Sequence, residues 1–307
     1  MSKKVLVLMG GFSHERNVSL VSGKGVAEAL RQKKFNVVEH DLQDGWAFLD
    51  VLKKEKPDVV FNALHGNWGE DGEIQGFLDV LQIPYTHSGM KASLLGMDKN
   101  ITKDFAKSCG IKIAPSEKMK VKDFFSKGTS IDIPYVLKPV SDGSSVGVFI
   151  IMNENDLKQV YYDDENIEIM VEKYISGKEL TISCINGKSF VVTEIKPKVE
   201  FYDYNAKYTN GITEHVLPAE IPDNVAEECK QWAERLHKKL GCNMVSRIDV
   251  RYNEKDGPVF LEINTHPGMT PLSLVPEQAK YAGISYADLC EMLVDAATCR
   301  SLRVDNA

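Results

Sequence analysis

Two rhythms of apolar residues alternate over residues 1–92. Positions 5–9, Val-Leu-Val-Leu-Met, are apolar without a break, the mark of a strand covered on both faces. After a glycine loop, Val18, Val21, Gly25 and Ala29 recur at three- and four-residue steps, which predicts a helix. Val37 and Val38 predict a second strand, and the run 59–64, opened by Pro57 and Asp58, a third. A helix around Ile74, Phe77, Leu78 and Leu81 follows, and Ile83-Pro84-Tyr85 starts another short strand. Strand and helix in turn imply a parallel α/β domain.

The rhythm changes over residues 93–175 to a helix, a strand at 134–139, a glycine-serine loop, a strand at 148–152, a helix near 156–162 and a strand at 167–172. That order predicts a small α+β unit. Residues 176–307 begin with a hairpin whose turn is Asn186-Gly187, followed by a long polar loop over 196–213. The stripe Val225, Cys229, Trp232, Leu236, Leu240 predicts a helix leading into two strands, 245–252 and 259–264. No repeat or low-complexity linker separates these three units, so they are expected to pack closely.

Composition narrows the function classes. A chain of 307 residues with 43% hydrophobic content suits two or three modest domains. Its net charge of −7, from 37 basic and 44 acidic residues, comes without a basic run, which argues against nucleic acid and anionic membranes as partners. No stretch approaches the roughly 18 apolar residues of a membrane span, and the apolar run at 5–9 is too short for a signal peptide. The six cysteines (109, 184, 229, 242, 290 and 299) are scattered, as expected of reduced thiols in a cytoplasmic protein rather than of disulfides or zinc ligands.

Four places carry candidate chemistry. In the strand 245–252, Arg247 and Asp249 share a face; in 259–264, Glu262 and Asn264 do. Paired as a hairpin, they would present three oxygen ligands beside a guanidinium, a donor set that favours Mg²⁺. The same alternation also describes an ordinary half-solvated sheet. Lys138 precedes the loop Ser141-Asp142-Gly143-Ser144-Ser145-Val146-Gly147, whose backbone N–H groups and hydroxyls suit an anion, or form a plain turn. Gly10-Gly11-Phe12-Ser13-His14-Glu15 places Glu15 at the carboxyl end of the first strand, where open α/β domains bind ligands; a carboxylate there also suits the helix dipole. His65 ends another strand at the same edge.

In succession, the stretches GGFSHERNVSL, ALHGNWGEDGEIQG, SGMKASLLGMDK, LKPVSDGSSVGV, FYDYNAKY, RIDV and EINTHPGMTPLSLVP make residues 4–294 resemble the D-alanine–D-alanine ligases. The resemblance implies a three-domain ATP-grasp fold, α/β and α+β, with domains at 1–92, 93–175 and 176–307 and ATP between the second and third. It implies cytoplasmic synthesis of a peptidoglycan precursor by a protein that is commonly a homodimer. The first D-alanine's carboxylate would take the γ-phosphate of ATP, and the second D-alanine's amine would displace phosphate from the acyl phosphate. Asp249, Glu262 and Asn264 match ligands of two Mg²⁺ ions, with Mn²⁺ as a substitute. Arg247 and the Gly268 N–H match oxyanion-stabilising groups. Lys99, Lys138 and Lys207 match phosphate-contacting lysines, with Ser144 and Ser145 in the loop closing over the phosphates. Glu172, Lys173 and Ile175 would meet the adenine, Glu179 the ribose, and Phe201 and Leu261 would flank the base. Glu15 would hold the first ammonium, with Ser144 and Tyr208 hydrogen-bonded to it. Ser273 with Leu274, and Lys207, would lie at the second substrate, and His65 would position or deprotonate its amine.

Four positions depart from the family pattern: His266 stands where serine is common, Leu272 where some relatives have histidine, Arg251 in place of an apolar residue, and Asp142 in place of glutamate. The nearest competing activity is D-alanine–D-lactate ligation, against which Tyr208 argues, since hydroxy-acid-preferring relatives often lack that tyrosine. Another carboxylate–amine ligase is opposed by the substrate matches at Glu15 and Ser273. A nucleotide-binding regulator without chemistry is opposed by the retention of Arg247 and every candidate metal ligand.

Overall fold

The computed structural model describes residues 2–141, 143, 146–197 and 213–300. Its first sheet has the order β2-β1-β3, formed by β1 (Lys4–Gly10), β2 (Asn36–Leu42) and β3 (Val59–Asn62), all parallel. The unbroken apolar run of β1 has a simple cause, since each face meets a different core. Val5, Val7 and Met9 pack with α1 (Arg16–Gln32), while Leu6 and Leu8 pack with α2 (Gly45–Glu55) and α3 (Glu73–Val80) through Phe48, Leu52, Ile74 and Leu78. The strand expected at 83–85 shrinks to single-residue bridges of Tyr85 with Val60 and Thr298. Gln82 ahead of it has a left-handed backbone (φ 57°), and Pro84 has no N–H to donate, so no longer ladder forms.

α1 lies so close to β1 that a Cβ added at Gly23 would stand 2.5 Å from the Met9 Cβ. Gly23→Ala is therefore expected to destabilise the protein by about 1–3 kcal/mol through overpacking. A denaturant titration of the purified variant measures it; an unchanged midpoint would mean that the helix shifts freely.

The second sheet is antiparallel in the order β4-β7-β5-β6, with β4 (Ser116–Lys120), β5 (Tyr135–Pro139), β6 (Phe149–Ile151) and β7 (Glu168–Lys173). β4 has no counterpart in the apolar pattern. It is an edge strand whose Ser-Glu-Lys-Met-Lys sequence is fully buried nowhere, and it runs directly into α6 (Val121–Lys127). The helix expected at 156–162 is only a 3₁₀ turn, Asp156–Gln159.

The third sheet, β10-β9-β8-β11-β12, is antiparallel throughout: β8 (Lys178–Ile185), β9 (Thr193–Pro197), β10 (Thr213–Val216), β11 (Val245–Asn253) and β12 (Gly257–Asn264). The Asn186-Gly187 turn forms as expected: both residues have positive φ (50° and 74°), and Ile185 and Lys188 exchange backbone hydrogen bonds of 2.8 and 3.0 Å. The long helix α7 (Asp223–Leu240) covers the sheet with Val225, Cys229, Trp232, Leu236 and Leu240 buried, the predicted stripe.

Two connections tie the units together. α4 (Met90–Met97) and α5 (Lys99–Ser108) follow the first unit, and α5 contributes Ala106 to the core of the third sheet. α8 (Leu274–Tyr281) and α9 (Tyr286–Asp295) come from the end of the chain, yet Val275, Ala279, Leu289 and Leu293 pack into the core of the first sheet. Among the described residues, no helix is long and apolar enough to cross a membrane.

Candidate active site

The three sheets enclose a cavity of about 1140 Å³. Its wall includes Glu15 and His65 from the first unit, and Lys99, Lys138, Glu172, Lys173 and Ile175 from the second. From the third come Glu179, Arg247, Asp249, Leu261, Glu262, Asn264, Gly268, Ser273 and Leu274. Residues separated by as much as the whole of the chain's alternating pattern thus share one space. Ser144, Ser145, Phe201, Lys207 and Tyr208, with Asp142 and residues 198–212 of the expected loop, lie outside the described residues, whereas 196–197 and 213 belong to β9 and β10.

The β11–β12 hairpin supplies the acidic wall. Arg247 is opposite Asn264, and Asp249 opposite Glu262, so alternation and pairing put all four on the cavity face. A register shift follows Asp249, which leaves this patch in regular pairing. The Arg247 guanidinium grips Asp249 with two hydrogen bonds, Nε to Oδ1 at 3.0 Å and Nη2 to Oδ2 at 2.9 Å, and Thr181 Oγ1 donates to Oδ1 at 2.7 Å. Lys99 Nζ stands 3.9 Å from Glu262 Oε2. The Asn264 amide oxygen accepts the His266 N–H at 2.7 Å, which fixes its orientation. Among the described residues no three His, Cys, Asp or Glu side chains cluster as metal ligands; here the third oxygen donor is an amide. Two carboxylates and an amide facing an open cavity fit a hard divalent ion that retains other oxygen ligands.

Opposite this wall is a buried charge cluster. The Glu172 carboxylate receives Lys138 Nζ at 2.6 Å and, on its other oxygen, Lys103 Nζ. Burial pushes the Glu172 carboxyl up, but the two ammoniums outweigh it and hold it below its ordinary value. Burial also pulls the Lys103 ammonium down. The sequence analysis overlooked Lys103. A signal existed: it follows Lys99 by four residues, on the same helical stripe as buried Thr102 and Ala106. Between cluster and hairpin, Val136, Val148, Ile150, Ile195 and Leu261 give the cavity an apolar section, suited to a flat ring.

At the first unit, Glu15 is 8% exposed, and Gly66, at positive φ, lets it approach the backbone: a Cβ there would be 2.9 Å from Glu15 Oε2. His65 uses both ring nitrogens, Nε2 with Ser22 Oγ at 2.9 Å and Nδ1 with Glu70 Oε1 at 3.1 Å. Burial pushes the Glu70 carboxyl up, against the opposing pull of His65. Behind His65 lie two more buried rings, His266 edge-to-face with it at 6.0 Å and, beyond, His87 tilted against His266 at 4.1 Å. Burial lowers His87 to about 3 and His266 well below its usual value, so both are neutral near pH 7. The departure at 266 therefore belongs to a buried row of three histidine rings behind the site.

Ser273 stands at the N-cap position of α8 without a side-chain capping bond; its Oγ instead accepts the Thr270 N–H at 3.1 Å. The same oxygen lies 3.1 Å from where a Gly268 Cβ would be, so the hydroxyl and the Gly268 backbone form one tight corner. Leu272 is 69% exposed at the rim. Arg251 binds Glu179 at 2.9 Å and the Gly177 carbonyl at 3.2 Å, so that departure acts on the carboxylate matched to the ribose rather than on apolar packing.

Comparison with known proteins agrees at both ends of the chain. The family model described as D-ala D-ala ligase C-terminus matches residues 105–295, and that described as D-ala D-ala ligase N-terminus matches residues 48–88. The D-alanine–D-alanine ligase of Erythrobacter litoralis is 47% identical over 302 residues, covering 95% of this chain and 93% of its own. The crystal structure of D-alanine–D-alanine ligase from Bacillus anthracis complexed with ATP superposes with a TM-score of 0.80 at 34% identity, over 100% of this chain and 99% of that one. The VanG D-Ala:D-Ser ligase from Enterococcus faecalis superposes at 0.78 with 26% identity, over 96% and 99%. Identity this high over nearly the full length, with a closely superposing fold, means that the chain belongs to the D-alanine–D-alanine ligase family.

Proposed function

We propose that the chain joins two D-alanines into D-alanyl-D-alanine with hydrolysis of ATP to ADP and phosphate, supplying a peptidoglycan precursor in the cytoplasm. The observation that carries this reading is the single cavity joining Glu15, the Lys138–Glu172 cluster and the Arg247–Asp249 hairpin face. Acid activation needs a polyphosphate and a carboxylate held end to end, and amide formation needs a stabilised oxyanion between two amino acids.

In this assignment residues 1–92 hold substrate, 93–175 cover the nucleotide, and 176–307 carry the acidic hairpin. Glu15 neutralises the first ammonium. Lys99 and Lys138, with Lys207, Ser144 and Ser145, meet the phosphates. The apolar section takes the adenine, with Glu172, Lys173, Ile175 and Leu261 around it and Glu179 at the ribose; Phe201, outside the described residues, is assigned to the base by the resemblance alone. Asp249, Glu262 and Asn264 would hold two Mg²⁺ or Mn²⁺ ions, which would neutralise phosphate charge when bound. Arg247 and the Gly268 N–H face the tetrahedral oxyanion. Ser273 and Leu274 bound the second substrate, and His65 positions or deprotonates its amine; the resemblance assigns Lys207 to the same substrate and Tyr208 and Ser144 to hydrogen bonds with Glu15. The assembly is expected to be a homodimer of copies of this chain.

The test is phosphate release from ATP with Mg²⁺, comparing D-alanine, L-alanine, D-alanine with D-lactate and D-alanine with D-serine. Release with D-alanine alone, with the dipeptide on chromatography, is the expected result. The D-Ala:D-Ser neighbour makes D-serine the relevant second acceptor. Release only with a second acceptor, or only with another acid, would keep the ATP chemistry and discard the substrate.

A further inference from the structure

Lys103 has no role in the assignment above, yet it is 2% exposed and shares one carboxylate with a phosphate lysine. Glu172, also 2% exposed, carries one negative charge against two ammoniums. Glu262 adds a coulombic pull on Lys103, but the two ammoniums share a single hydrogen-bonded carboxylate, so an incoming anion is a favourable further partner. The two lysines differ in access. Lys138 lines the cavity, whereas Lys103 lies behind Glu172 on α5 and does not reach it. Only Lys138 can turn to an incoming anion, and when it does Glu172 loses one of its two partners.

We infer that Lys103 is a positioning residue for the nucleotide phosphates: it stays on Glu172, so that Lys138 can exchange that carboxylate for a phosphate oxygen. This rests on the reading of the cavity as an ATP site. Without Lys103, Lys138 would be the sole counter-charge of a buried carboxylate, and its departure would strand that charge. Glu172 would then hold Lys138 against the phosphate. The Glu172 carboxyl agrees with this, since Lys138 and Lys103 hold it low despite its burial.

Lys103→Met is expected to raise the KM for ATP by about tenfold or more, leaving the KM for D-alanine and kcat within about threefold. Binding of adenosine, which has no phosphate, should not change. Lys103→Arg keeps the cation and should recover most of the lost ATP affinity. Equal weakening of ATP and adenosine would overturn the inference, as would an unchanged KM for ATP or an Arg variant as weak as the Met variant. The same comparison in a Glu172→Gln background isolates the charge, because an uncharged amide does not hold Lys138. There, Lys103→Met should leave ATP affinity unaltered. A tenfold loss in that background would sink the proposal, and the pair serves equally if Lys103→Met alone does not fold. ATP affinity is read directly by calorimetry alongside turnover. A wild-type protein that binds ATP but releases no phosphate with D-alanine would refute the ligase reading, while the Lys103 comparison keeps its meaning.

Discussion

Arg247→Met is expected to abolish ligation, lowering kcat by about 10²–10³-fold, while ATP still binds. The guanidinium is held by two hydrogen bonds to Asp249, so it is oriented before any substrate arrives. A charge fixed in this way stabilises a developing oxyanion without reorganising, and that advantage is realised in the transition state rather than in the ground state. Methionine keeps much of the stem length but cannot donate. Asp249 would retain the Thr181 hydroxyl and its exposure to the cavity, so the fold is expected to persist. Arg247→Lys should not rescue, because a point charge cannot reproduce the two-toothed grip on Asp249. Steady-state kinetics beside nucleotide calorimetry measures both parts. Ligation within a few-fold of wild type would remove Arg247 from the chemistry.

The second large effect is expected at Glu262. Glu262→Gln deletes one of the two carboxylates that face each other across β11 and β12, leaving Asp249 as the only charged oxygen donor of the trio. Turnover at limiting Mg²⁺ should fall about 100-fold, with partial recovery as Mg²⁺ is raised. Lys99, 3.9 Å from Glu262, would also lose a nearby negative charge. Nucleotide binding measured without divalent ion should therefore stay equal or tighten. A Mg²⁺ titration with an unchanged midpoint would exclude Glu262 as a ligand.

What the sequence reveals of this protein depends on whether a residue's signal is local. β1 is legible because both its faces are buried, which leaves an uninterrupted apolar run. The hairpin face of Arg247, Asp249, Glu262 and Asn264 follows from alternation, and only the register, set by pairing, had to come from the fold. The Asn186-Gly187 turn is legible because few residue pairs adopt two left-handed conformations at low cost. The misses are non-local. β4 is defined by hydrogen bonds to β7 rather than by its own composition. Lys103 looks like any helical lysine until Glu172, far along the chain, is brought against it. The return of α9 to the first sheet leaves no trace in its own periodicity, which would suit docking against any apolar surface. Functional residues on the irregular stretches were legible only as a resemblance, because an ordered string of unusual residues carries information that periodicity does not.

That return of α9 has a mechanical meaning. The first unit is joined to the rest of the molecule by two covalent strands of chain, one entering α4 and one arriving through α8, and beyond α9 the returned segment is fastened to the first unit where Tyr85 and Thr298 exchange backbone hydrogen bonds of 3.1 and 3.2 Å. A body hung from one tether can swivel about many axes, whereas one hung from two turns chiefly about the line between them. Here the line between the tethers is itself packed, since Ile185, Met244 and Val245 of the third unit share the first sheet's core with the returning helices, and Glu15 and His65 are thereby held on the same cavity as Arg247.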